Sequence, residues 1–216
     1  MTATWTLRAA RGRGLFPQMI EESRLHARRR GCALLIAFAG AGKASRPGLL
    51  AAGAATIEAA FLTSPTPMPQ APTTPERASI EDSLAASAAR AVDDCVARLV
   101  YGADEWRGQM IARPSPAEAW RLGKGRVAVI ERSVAVDRLL DVSLGGGEPF
   151  VGAALEAAAI SGSAGRRLSV YTLEPEVADA LAVRGWERTR AWLYLMSTDG
   201  GPVDRDRWWF ANGDRM

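Results

Sequence analysis

Two glycine-rich stretches stand where phosphate chemistry is possible. In the first, Gly145-Gly146-Gly147 ends a strand over residues 138–144 and precedes an Ala-rich helical pattern over residues 151–160. A glycine loop between strand and helix leaves backbone N–H groups unpaired at the positive end of the helix dipole, a geometry that suits a pyrophosphate. Many α/β folds use that arrangement, so the loop alone does not identify a reaction. The second stretch, Ala37-Phe38-Ala39-Gly40-Ala41-Gly42-Lys43, follows an apolar run but lacks what nucleotide phosphotransfer needs. A hydroxyl should follow the lysine to hold magnesium, and Ala44 stands there; Ala37 stands where the first glycine belongs, and Pro47 interrupts the following turns. This stretch reads as a turn between elements.

The remaining reactive side chains exclude several chemistries. His26 is the sole histidine, and Cys32 and Cys95 lie far apart, so no zinc site assembles from this inventory without many carboxylates. A Ser-His-Asp or Cys-His machine would have to use His26, which sits among Arg and Leu on an amphipathic pattern with no nucleophile placed beside it. The net charge is +3 and arginine is scattered, which does not make a nucleic-acid surface. The one dense cluster, Arg28-Arg29-Arg30, suits the negative end of a helix. No apolar stretch reaches the roughly 20 residues of a membrane helix, and no signal-peptide pattern opens the chain. Two unspaced cysteines point to a reducing compartment. These features give the expectation of a soluble cytoplasmic protein, and the Ala, Arg and Gly bias suggests a GC-rich bacterial source.

The elements that would position this chemistry follow from periodicity and breakers. Residues 4–8 alternate as a short strand, and residues 15–30 form an amphipathic helix closed by Gly31. Residues 32–38 read as a buried strand and residues 56–63 as another, with residues 49–55 open between helix and strand. Five prolines over residues 64–75 forbid helix and central strand. Ser79-Ile80-Glu81-Asp82 opens a helix to about residue 101, residues 104–116 are irregular, and the cap-like Ser115-Pro116 predicts a short helix to Arg121. Strands then follow at 126–131 and 138–144, a helix at 151–160, a loop at 161–166, a strand at 168–173, a helix at 175–183 ended by Gly185, and a long strand at 186–196. A polar tail carries Trp208-Trp209-Phe210, for which docking on the protein's own surface is the leading expectation.

Residues 167–188, with strand Arg167-Leu168-Ser169-Val170-Tyr171-Thr172-Leu173, a short helix, and Arg184-Gly185-Trp186, resemble the C-terminal motif of the GNAT (GCN5-related) N-acetyltransferase superfamily. Ala178, Leu181, Gly185 and Trp186 fall on the family spacing, and Trp192-Leu193-Tyr194-Leu195-Met196 is similar to its closing strand. The resemblance implies a mixed, mostly antiparallel α/β sheet flanked by helices, with strands splayed near residues 138–144 and 168–173. It implies one domain over residues 1–198, its cofactor-binding half over about 126–197, and a tail over 199–216. The implied activity is transfer of an acetyl or other acyl group from acyl-CoA to a small-molecule or peptide amine, and a homodimer is a reasonable assembly.

The resemblance also assigns roles. The strand before the glycine loop carries Asp141, the implied general base, and Ser143; Tyr171 on the next strand is the implied acid. Backbone groups of Val142 and Leu144 would pair with the pantetheine arm, and the loop and helix start, from Gly147 through Phe150, Val151, Gly152 and Ala153, would hold the pyrophosphate. Gly152 and Leu155 match the family's acyl-CoA loop, whereas Gly147 replaces its Arg or Gln and Phe150 its middle glycine. The family's general-acid tyrosine position holds Leu181. These departures define the alternative: the same fold with catalysis decayed, serving as a binding or regulatory module.

Overall fold

The computed structural model describes residues 8–40, 42–66, 75–88, 102–143, 149–205 and 208. Its elements, in chain order, are α1 (Leu15–Arg29), β1 (Leu34–Gly40), α2 (Ser45–Ala51), β2 (Ala55–Thr63), β3 (Glu76–Arg77), α3 (Ile80–Ala88) and α4 (Ala103–Trp106, continued by a π-helical turn over Arg107–Ile111). They continue with β4 (Ala117–Arg121), β5 (Val127–Glu131), β6 (Val136–Val142), α5 (Pro149–Ser163), β7 (Arg167–Thr172), α6 (Pro175–Val183) and β8 (Glu187–Ser197). The chain groups into two compact units, chiefly Met1–Ala59 with Thr189–Asp206, and Ala60–Arg188.

In the first unit β1 and β8 pair antiparallel from Leu34↔Ser197 to Gly40↔Ala191. Ile20 of α1 and Leu49 of α2 bury against Ala37, Ala39, Tyr194 and Met196 of these strands. Gly31, with φ +73°, ends α1 as its left-handed cap, and Cys32 N–H bonds back to the Ala27 carbonyl at 2.9 Å. The stretch over 49–55 resolves as the end of α2 and the start of β2. Pro47 falls in the first turn of α2, where its missing N–H costs no helix bond.

The second unit holds a sheet in the order β2-β7-β6-β5-β4-β3. Every neighbouring pair in it is antiparallel except β6 with β7. One face packs against α5 and α6 through Leu62, Ile130, Leu139, Val142, Leu168, Val170, Leu181 and Trp186. The other face packs Val129 and Leu140 against Trp106 and Met110, with Ile80 and Leu84 of α3 at its margin. Ala153, Ala154, Ala157 and Ala158 are all fully buried, so the helix that follows the glycine loop lies close on the sheet because its inner face has no larger side chains.

The mixed, mostly antiparallel sheet with flanking helices is the expected fold class. Ser79 and Asp82 form the expected capping box, Asp82 N–H donating to Ser79 Oγ at 2.9 Å and Ser79 N–H to Asp82 Oδ2 at 3.3 Å. One element is a correction: the short helix expected after Ser115 is the strand β4, paired with β5 from Ala117↔Glu131 to Arg121↔Val127. Five residues give a helix too few bonds to repay nucleation, while alternation buries Ala119 between neighbours turned to the other face. Helix α5 starts two residues before the expected 151 and runs on through Ser163, into the expected loop. Residues 104–116, expected to be irregular, hold α4 and its π-helical turn. The expected strand over 4–8 lies outside the described residues except Arg8, which is in a 3₁₀ turn. Residues 67–74, 89–101 and 144–148, with Trp209 and Phe210, are also outside them, whereas Trp208 is described and half-buried. Among the described residues no helix is long and apolar enough to cross a membrane.

Enlarging the helix face should be costly. Ala157→Leu is expected to lower global stability by about 1–3 kcal/mol through overpacking, read as a reduced denaturation midpoint with an unchanged urea m-value.

Candidate active site

The site is shaped by where two neighbouring strands stop pairing. The parallel ladder of β6 and β7 covers three pairs, Val136↔Arg167, Asp137↔Leu168 and Arg138↔Ser169, although β6 continues to Val142 and β7 to Thr172. Beyond Arg138 and Ser169 the strands therefore run on without a shared ladder, at the position expected for the splay. On the other side of β6, the register with β5 shifts between Val129↔Asp141 and Ile130↔Leu139, so Leu140 is an extra residue in β6. Such a bulge bends its strand and changes the side-chain alternation. The burial shows both effects: Leu139 and Val142, three residues apart, share the core under α5, and Leu140 packs with Trp106 on the opposite face.

The bulge decides where Asp141 points. Paired residues of adjacent strands share a face, so Asp141, opposite Val129, lies on the face away from α5. Tyr171 reaches the same face: Glu131 pairs Arg138, Arg138 pairs Ser169, and Tyr171 is two residues further along β7. The structure thus brings Asp141 and Tyr171 to one face of the sheet, one on each of the two diverging strands. Both are buried, at 4% and 2% exposure, and the Tyr171 ring lies 5.2 Å from that of Phe61 on β2. Ser143, expected beside Asp141, instead closes the β5–β6 ladder: its N–H donates to the Val127 carbonyl at 2.8 Å and its Oγ accepts from Val127 N–H at 2.6 Å. With Ser143 turned to β5, strand alternation directs the backbone groups of Val142 toward the β7 side.

An ion network borders this face. Glu131, 2% exposed at the end of an otherwise apolar strand, accepts from Arg113 Nε and from Arg138, each at 3.0 Å. A buried carboxylate held by two guanidinium groups is fixed in place, because losing either partner would leave a desolvated group. Arg138, half-exposed, stands at the last shared rung of β6 and β7.

At the start of α5 the predicted cofactor residues divide. Leu144 and Gly147 lie outside the described residues. Phe150 turns its ring into the core at 9% exposure, with the fully buried Ala153, so neither side chain lies on the outer face of the helix. Val151 is half-buried and packs at the core margin. Gly152 lies on a flank of the helix where an added Cβ would sit 3.3 Å from the Arg126 guanidinium, which also bonds Glu156 and the Gly123 carbonyl. Leu181 is fully buried under the sheet, as an apolar side chain at that position should be. Among the described residues no cluster of three or more His, Cys, Asp or Glu side chains could hold a metal ion.

No protein-family model and no curated protein matches the sequence. Solved structures are similar: a GCN5-related N-acetyltransferase from Sphaerobacter thermophilus superposes with a TM-score of 0.57 at 14% identity, over 91% of this chain and 72% of that one. A tandem GNAT protein from the clavulanic acid biosynthesis pathway gives 0.57 at 14% identity, over 93% and 74%. A GCN5-related N-acetyltransferase from Kribbella flavida gives 0.53 at 15%, over 89% of this chain but 50% of its own. The chain therefore spans from about half to three-quarters of these neighbours' lengths. Its fold is that of the GCN5-related N-acetyltransferases.

Reasoning from sequence missed the bulge and the Glu131 network. The signals were present: Leu139-Leu140-Asp141-Val142 breaks strict alternation, and a lone glutamate ends Val127-Ala128-Val129-Ile130. At the far end of β7, Glu174 precedes α6, its N–H donating to Thr172 Oγ1 at 3.0 Å. Burial, reinforced by repulsion from Glu176, raises its carboxyl above the ordinary glutamate range. An acid raised in the folded state opposes folding once ionised, so stability is lost as pH rises through the interval between its unfolded and folded pKa. Glu174→Gln should therefore raise the thermal midpoint at neutral pH, and the gain should vanish below the ordinary glutamate pKa of about 4.3; thermal melts of both proteins at acid and neutral pH check this.

Proposed function

We propose that this protein is an acyltransferase that moves an acetyl or other acyl group from acyl-CoA to the nitrogen of a small-molecule or peptide amine, with residues 1–198 as the domain that carries the activity. The observation that carries this reading is the pair of diverging strands with Asp141 and Tyr171 on one face and the start of α5 at their open end. The chain's own groups fit an acyl-CoA: Val142 turns its backbone toward the β7 side, and the N–H groups of Phe150 and Val151 lie in the positive first turn of a 15-residue helix, whereas those of Gly152 and Ala153, expected to join them, are taken up by the helix's own bonds because α5 starts at Pro149. The bound thioester would supply an activated acyl carbon.

Within this reading Asp141 accepts a proton from the acceptor nitrogen as its bond to the acyl carbon forms. Tyr171 donates a proton to the departing sulfur as the carbon–sulfur bond breaks. The Val142 backbone, turned toward the β7 side, polarises the carbonyl oxygen between these events. Trp106 and Met110, on the same face as Asp141, are the apolar surroundings of an amine approaching from that side.

Release of free CoA from acetyl-CoA and longer acyl-CoAs, measured over a broad amine panel, tests the assignment. Asp141→Asn is expected to lower kcat by at least about 10²-fold while KM for acyl-CoA stays within a few-fold and the fold is retained. Equal turnover in that variant would remove Asp141 from the chemistry. A second reading is favoured by the buried, apolar Leu181 at the family's tyrosine position: a protein that binds acyl-CoA without turnover over the whole panel would be the binding or regulatory module.

A further inference from the structure

A cleft of about 410 Å³ opens at the end of the sheet where β3, β4 and the last turn of α5 meet. Arg77, Arg132 and Arg166 line it together with Glu118, Trp120 and Ile160. It lies at the C-terminal end of α5, whereas the proposed acyl-CoA groups are at the N-terminal end, about 20 Å away at 1.5 Å per helical residue. The cleft is thus separate from the site described above, and its reading does not depend on acyl transfer.

Its side chains are built around fixed guanidinium groups. Asp137, with no exposure, lies behind the cleft and accepts from Arg132, while Arg166 Nε stands 2.9 Å from its other oxygen. Glu118 accepts from Arg132 Nε at 2.8 Å and from Arg77 at 2.6 Å. Arg77 and Arg132 also stand over Trp120, 5.2 and 5.6 Å from its ring centroid. Three cations against two carboxylates leave one positive charge, and the deeper carboxylate is inaccessible from the cleft. Each guanidinium carries five N–H donors, so further donors remain on all three after these pairings.

The negative end of α5 would oppose an anion here, but it is closed locally. Ala164 and Arg166 N–H groups bond the Ser161 carbonyl at 3.1 and 3.0 Å, and Gly165 N–H bonds that of Gly162 at 2.8 Å. The Trp120 indole and Ile160 supply apolar wall beside the cations. Planar guanidinium groups held on carboxylates and an aromatic face are pre-organised to take two oxygens of one ligand group.

We propose that this cleft binds a small oxyanion-bearing ligand, its carboxylate or phosphate on Arg77 and Arg166 and its apolar body on Trp120 and Ile160. Calorimetric titration of the full chain at low salt with phenyl phosphate, benzoate and inorganic phosphate tests it. Saturable binding of an aryl oxyanion, tighter than inorganic phosphate, is expected, and the tighter of the two aryl probes identifies the preferred group. That affinity should fall at least tenfold in the Arg77→Gln/Arg166→Gln double variant. It should be lost in Ala164→Glu, an exposed position on the cleft wall, and be unchanged in Arg138→Gln, which belongs to the other ion network. Thermal melts accompany each variant, and Ala164→Glu decides the matter if the double variant unfolds. Absence of saturable binding, or binding that persists undiminished in Ala164→Glu, would overturn the proposal.

Discussion

Between Val129↔Asp141 and Ile130↔Leu139 the β5–β6 ladder absorbs one extra residue, Leu140, and the orientation of everything downstream on β6 follows from it. In a regular strand Asp141 would share a face with Leu139, under α5, where its carboxylate would meet only apolar side chains at a desolvation cost of several kcal/mol. With the bulge, Leu139 and Val142 both fill the core under α5, and Asp141 turns to the face of Trp106 and Met110. The β6–β7 ladder ends at Arg138↔Ser169, just before the bulge, so the inserted residue aims a carboxylate at the stretch where the two strands share no ladder.

The rest of the second unit holds that geometry still. Four fully buried alanines let α5 lie flat against β5, β6 and β7, and Leu181 and Trp186 close the core beneath. At the pairing end of β6, charge does the fixing: Glu131 with Arg113 and Arg138 on one face, Asp137 with Arg132 and Arg166 on the other. Buried carboxylates with more than one arginine partner tolerate little displacement, because losing a partner leaves a desolvated charge. The strands are thus pinned at one end by ion pairs, while at the other they share no ladder.

Most of this architecture was legible in the sequence because periodicity and breakers agree with the tertiary structure over residues 126–197. The strand with Tyr171, the helix from Pro175 with Gly185 after it, and the long final strand stand where their patterns put them. The segment after Ser115 misled because Ser-Pro-Ala-Glu is good helix-start chemistry, yet the five residues from Ala117 gain more from pairing with β5 than from an isolated turn. The candidate site was named through the resemblance alone: it singled out Asp141, Val142 and Tyr171, but the common face of Asp141 and Tyr171 depends on a bulge and a cross-strand register, which are non-local. The arginine cleft was invisible for the same reason: Arg77, Arg132 and Arg166 are scattered along the chain and meet only through β3, β4 and the end of α5.

The most direct measurement is hydrogen–deuterium exchange of the full chain with and without saturating acetyl-CoA. A ligand lying between the diverging strands should slow exchange in peptides covering the end of β6, the first turns of α5 and the second half of β7, and leave β3 and β4 unchanged. Unaltered exchange in those three segments would contradict the placement of acyl-CoA between β6 and β7 and, with it, the acyltransferase reading of this fold.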